Sequence, residues 1–90
     1  MERTVLVRYE GQVQGVGFRA NVRRVAGRFK VRGWVKNERD GSVSLIATAE
    51  SAELDALLAA IRVSPLGPNI IRETCEDAVA PPGGGFDIRY

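Results

Sequence analysis

Between Tyr9 and Val22 the apolar pattern of this 90-residue chain changes period, and the stretch that spans the change is Gly11-Gln12-Val13-Gln14-Gly15-Val16-Gly17-Phe18-Arg19. Before it, Val5, Val7 and Tyr9 alternate, the signature of a half-buried strand over residues 3–10. After it, Val22, Val25, Ala26 and Phe29 fall at i, i+3, i+4 and i+7, so a helix over residues 20–29 turns one stripe inward and leaves Arg23, Arg24 and Arg28 to water. A strand, a glycine-rich loop and a helix in that order make an anion site. Glycines let successive N–H groups converge with no Cβ in the way, the helix start adds unpaired donors and its positive dipole end, and an arginine fork matches phosphate. The expected ligand is a phosphoryl group, held by Gly15, Val16, Gly17, Phe18 and Arg19.

Further along, Val31, Gly33 and Val35 alternate with Arg32, Trp34 and Lys36, so residues 31–37 form a second strand, which Asp40-Gly41 turns into a third over residues 42–48. Trp34 is expected to pack on the sheet surface. Ser51 is placed to cap a second helix, Glu53 complements its dipole, and Leu54, Leu57, Leu58 and Ile61 repeat the helical stripe. Pro65, Gly67 and Pro68 end it. A less regular strand follows over residues 69–79, with Ile70, Ile71, Cys75 and Val79, before a Pro81–Gly85 loop and a short closing strand over residues 86–90. No linker or repeat divides the chain, so residues 1–90 read as one domain. The order β-α-β-β-α-β plus a short strand belongs to the α+β class. It describes a ferredoxin-like split β-α-β sandwich, an antiparallel sheet with two helices on one face.

Composition narrows the chemistry. Thirteen Lys and Arg against eleven Asp and Glu leave a net charge of +2, a mild excess that suits a small anion and not a nucleic-acid polymer. With no histidine and one cysteine, Cys75, the chain can build neither a Cys/His zinc site nor a Cys/His nucleophilic pair, and no intrachain disulfide. No Cys/His metal centre is expected. Cys75 is expected as a small buried hydrophobe, and its solitude points to a reducing cytoplasm. Charge interrupts the N-terminal residues every few positions and no apolar run reaches membrane-spanning length, so a soluble, unprocessed monomer with no membrane partner is expected.

Residues 11–19, followed by Gly33-Trp34-Val35-Lys36-Asn37-Glu38-Arg39-Asp40-Gly41, resemble the acylphosphatase family, whose signatures G-x-V-Q-G-V-G-F-R and G-W-V-x-N-x-x-D-G are both complete here. The resemblance runs over essentially the whole chain to the closing Gly85-Phe86-Asp87-Ile88-Arg89-Tyr90. It implies the split β-α-β fold and hydrolysis of a small acyl phosphate to a carboxylate and inorganic phosphate, with no metal and no cofactor. It also implies roles: Arg19, closing the first signature, holds the phosphoryl group, and Asn37, in the second, positions the attacking water. Two departures from the family pattern, Lys30 in place of a common glycine and Gly27 inside the first helix, bear on local stability. A third, Ala20-Asn21 where relatives often carry an aromatic pair, bears on the pocket wall and the preferred acyl group.

A hydrolase without histidine is chemically sufficient for this substrate class. The leaving carboxylate has a conjugate acid of pKa about 4 and needs no general acid. Phosphoryl transfer then relies mostly on positioning and electrostatic stabilisation, which an arginine and loop N–H groups supply. Two other readings stay open at this level. One is a non-catalytic or carbamoyl-phosphate-handling module, since domains resembling this family also stand at the start of larger carbamoyl-transfer proteins. The other is single-stranded RNA binding on the open sheet face, although the RNP1 pattern is absent.

Overall fold

A computed structural model describes residues 1–90. The elements are β1 (Glu2–Gly11), α1 (Phe18–Ala26), β2 (Arg32–Asn37), β3 (Val43–Glu50), α2 (Ser51–Arg62), a 3-10 turn (Gly67–Asn69), β4 (Ile70–Asp77) and β5 (Phe86–Arg89). The strands stand in the order β4-β1-β3-β2-β5. The four longer strands pair antiparallel, as the alternation indicates, and β5 adds one pairing parallel to β2, so the sheet is mixed at that edge. The direction follows from the path: the chain leaves β4, crosses through residues 78–85, and returns along the opposite edge. As a result β1, β2 and β5 run the same way, and their C-terminal ends, Gly11, Asn37 and Arg89, gather at one end of the sheet.

One core holds the layers together. Val5, Val7 and Tyr9 of β1, Val35 of β2 and Val43, Leu45 and Ala47 of β3 pack with Val22 and Val25 of α1 and with Leu54, Leu57, Leu58 and Ile61 of α2. Both helices therefore cover the same face. Burying each large apolar side chain contributes about 1.5–3 kcal/mol. Tyr9 meets Phe18 edge to face at 5.3 Å, which seats the first residue of α1 over the end of β1. No helix is long and apolar enough to cross a membrane.

Several sequence expectations change in detail. α1 stops at Ala26 and Gly27 is its C-terminal cap, so Gly27 costs nothing inside the helix, and Phe29 reaches the core edge from the turn beyond. Ser51 does not cap α2. Because β3 runs directly into the helix, Glu50 takes the cap position without a side-chain bond, and Ser51 Oγ contacts Met1 O at 3.3 Å instead. Cys75 is exposed, not buried, because β4 is an edge strand with most of its residues open to solvent. Partial burial, and then the neighbouring Glu73 carboxylate, still push its thiol pKa upward, which disfavours the reactive thiolate.

Candidate active site

The loop after β1 reaches α1 through two glycines in the left-handed region, Gly15 at φ 77° and Gly17 at φ 86°. A Cβ at either would meet open space, so the backbone conformation is what calls for glycine there. Gly17 occupies the N-cap position without a side-chain cap, and Asn21 N donates to Gly17 O at 3.0 Å. None of the backbone N–H groups from Gly15 to Ala20 donates a hydrogen bond within the protein. Six successive unpaired donors at a helix start, beside left-handed glycines, are the backbone chemistry from which an anion site can be built.

Five of these six residues, Gly15, Gly17, Phe18, Arg19 and Ala20, line a cavity of about 170 Å³ together with Val13, Asn37, Ile88 and Tyr90. The structure thus brings together five of the six residues expected at the site. Val16 is the sixth: its side chain is exposed and it does not line the cavity, while its N–H lies within the unpaired run.

Arg19 pairs with no carboxylate. Its Nη1 donates to Arg89 O at 2.9 Å, and its guanidinium carbon lies 4.6 Å from the centre of the Tyr90 ring. One of five N–H donors is used and the plane of the fork is held against an aromatic face, so the remaining donors are oriented and free. Asn37, at the end of β2, lines the same cavity, and its Oδ1 is buried with no hydrogen-bond donor from the protein. An unsatisfied buried acceptor costs about 1–3 kcal/mol, which a water or ligand donor would recover.

The hairpin beyond Asn37 is independently braced. Asp40 Oδ1 accepts from Ser42 N at 2.9 Å and Ser42 Oγ at 2.6 Å, and Asp40 pairs with Arg8. The Ser42 bonds, and then Arg8, hold the Asp40 carboxyl below its usual range. Asn37 and Tyr90 also face a wider groove of about 700 Å³ that includes Lys36 and Arg39. Trp34 lies on the helix-free face of the sheet, with the Arg89 guanidinium 5.0 Å from its ring centre, and lines neither cavity. No cluster of three or more Cys, Asp and Glu side chains is arranged to hold a metal ion.

Sequence reasoning missed Ile88, Tyr90 and the Arg89 carbonyl, which the parallel pairing of β5 with β2 delivers to the cavity. The alternation Phe86, Ile88, Tyr90 marks a strand, but its partner is not encoded locally. Of the departures from the family pattern, Ala20 does line the cavity, whereas Asn21 is buried elsewhere, donating from Nδ2 to Ser64 Oγ at 2.9 Å.

Comparison with known proteins identifies the family and the fold. The acylphosphatase family model matches residues 5–88. An acylphosphatase of Nitratidesulfovibrio vulgaris is 42% identical over 83 residues, covering 89% of this chain and 83% of that protein, and one of Rhizobium etli is 52% identical over 67 residues, covering 73% and 70%. The crystal structure of acylphosphatase from Bacillus subtilis superposes with a TM-score of 0.86 at 30% identity over 100% of both chains. Unpaired loop donors, a held arginine and a buried lone acceptor thus coincide with sequence and fold relatives of one kind: this chain belongs to the acylphosphatase family.

Proposed function

We propose that this enzyme hydrolyses acyl phosphates at the cavity between the glycine loop and the end of β2, with Arg19 and the N–H groups of residues 15–20 holding the phosphoryl oxygens and Asn37 Oδ1 orienting the attacking water. The observation that carries the reading is the pairing of opposites on one cavity. Residues with unpaired N–H donors and a guanidinium with four of its five N–H groups free line the same cavity as a buried acceptor that itself has no donor. A phosphoryl group satisfies the first set and a water satisfies the second.

The water oxygen forms a bond to phosphorus while the bridging P–O bond breaks, and the bridging oxygen leaves with the electron pair as a carboxylate. That leaving group is stable unprotonated at neutral pH. Asn37 cannot accept the water's proton, since a carboxamide is not basic, so the proton passes to a phosphoryl oxygen of the substrate. Charge gathered on the equatorial oxygens in the loose transition state falls among fixed donors, which need not reorganise. The proposed chemistry requires no metal. A small cavity reads the phosphoryl end of its substrate, and Ala20 leaves the wall beside it narrow in side-chain bulk.

RNA binding has less support. The helix-free face offers one tryptophan, Trp34, already covered by Arg89, where base stacking calls for several open aromatic platforms.

The test is hydrolysis of benzoyl phosphate in excess EDTA by wild type, Arg19→Ala and Asn37→Ala, each checked for folding by circular dichroism. Activity that survives the chelator and collapses in both folded variants is expected. A folded wild type no faster than the spontaneous reaction overturns the reading.

A further inference from the structure

Gln14 sits inside the first signature motif and does not line the cavity. Its Nε2 donates to Glu38 O at 2.7 Å and to Ser42 O at 2.8 Å. Those carbonyls stand at the neck of the β2–β3 hairpin, where Glu38 N also donates to Ser42 O at 2.8 Å, and Glu38 directly follows Asn37. Both hydrogens of one amide are therefore committed across the gap between the glycine loop and the strand end that carries Asn37. No other hydrogen bond joins residues 12–17 to β2 or its hairpin. The hairpin keeps its own shape through Asp40, Ser42 and Arg8, and β3 ties the ends of β1 and β2 together through Val43, so what Gln14 adds is the direct tie between the loop itself and the hairpin.

We propose that Gln14 is a positioning residue that sets the distance between the bound phosphoryl group and the water held by Asn37. The inference rests on the roles proposed above for Arg19 and Asn37. Loop donors and Arg19 belong to one continuous segment, so phosphate affinity survives the loss of Gln14, while alignment of water with phosphorus does not. Misplacement by about 1 Å can cost on the order of 100-fold in rate.

The experiment measures benzoyl phosphate kinetics, competitive inhibition by inorganic phosphate and thermal stability for wild type, Gln14→Leu, Gln14→Glu, Asn37→Ala and the Asn37→Ala/Gln14→Leu double variant. Gln14→Leu is expected to lower kcat by about 10- to 100-fold while the phosphate inhibition constant stays within about twofold. In the Asn37→Ala background the same change is expected to cost little more, because the two residues act through one water. Gln14→Glu supplies a pH signature. Its carboxylate faces two carbonyls with no donor, but the protonated acid regains one, so its activity relative to wild type should rise as pH falls through the carboxyl range. Equal losses in kcat and phosphate affinity, an undiminished Gln14→Leu effect in the double variant, or a pH-independent Gln14→Glu ratio overturns the proposal. So does a fall in stability alone with normal kinetics. If wild type and Asn37→Ala behave as expected and Gln14→Leu is normal, only this inference fails; an inactive wild type defeats the catalytic reading itself.

Discussion

Buried polar atoms without hydrogen-bond partners occur at two places in this fold, and the contrast between them separates a site from a structural seam. At the seam between β1 and β4, Tyr9 and Glu73 stand opposite each other in register, and Tyr9 Oη and Glu73 Oε2 are both buried and unbonded. Burial and the nearby Glu73 carboxylate push the Tyr9 phenol pKa strongly upward, while Glu73 Oε1 takes Arg62 Nε at 2.7 Å. Donor and acceptor are neighbours there, so a small adjustment closes the account locally. Asn37 Oδ1 has no such neighbour. Asn37 lines one cavity with Gly15, Gly17, Phe18, Arg19 and Ala20, whose N–H groups are also unpaired.

Charge shows the same division. From Gly11 to Asn37 the chain carries seven cations and no carboxylate, and only Arg32 among them forms an ion pair, with Glu2 at 2.8 Å. Around β4, by contrast, Arg72, Arg3 and Arg62 pair with Glu10, Asp77 and Glu73. Most of the cations without carboxylate partners thus belong to the segment that runs from the loop through α1 to the end of β2, and of them Arg19 lines the small cavity. The unpaired groups of the loop and of Asn37 belong to residues that share one cavity, whereas those of the seam lie beside each other.

If this contrast is right, substitutions on the two sides should separate activity from stability. Arg19→Ala is expected to lower kcat by about 10²–10³, the loss of roughly 3–4 kcal/mol of oriented donors, with Arg19→Lys no better because a point charge replaces a fork. Steady-state kinetics on folded variants checks this. Asn37→Ala should cost about 10²-fold in kcat with little change in inhibition by phosphate. Tyr9→Phe, at the seam, should leave hydrolysis unchanged and shift unfolding free energy by no more than about 1.5 kcal/mol in denaturant titrations. An activity loss comparable to that of Asn37→Ala would erase the distinction. Asp40 gives the smallest effect. Its folded pKa is depressed, so its contribution is present above the ordinary aspartate range and is lost as pH falls through the lowered value. The stability difference between wild type and Asp40→Asn at pH 7 should therefore shrink below about pH 4, read from acid unfolding curves.

Much of this arrangement is visible in residue order. The alternation of Val5, Val7 and Tyr9, the leucine stripe of α2 and the Asp40-Gly41 turn are local patterns, and each forms the element it implies. The glycine loop is equally local, because left-handed backbone at Gly15 and Gly17 needs no distant partner. What sequence could not supply is contact across the fold. Arg19 is oriented by a carbonyl 70 residues away, and nothing in the tail pattern specifies that β5 lies parallel to β2. Cys75 was misplaced for a related reason: alternation is the same in a central strand and an edge strand, and only the sheet order leaves β4 uncovered. Gln14 falls within a motif, yet its reach to Glu38 and Ser42 depends on how the hairpin folds back.

The most direct measurement is an amide and guanidinium chemical-shift titration of the ¹⁵N-labelled protein with inorganic phosphate. The account predicts saturable shifts of the amides of residues 15–20 and of the Arg19 side chain, with Tyr9 and Glu73 still, and their disappearance in Arg19→Ala. Shifts confined to Arg23, Arg24 and Arg28 on the exposed face of α1, or shifts at the loop that never saturate, would contradict it.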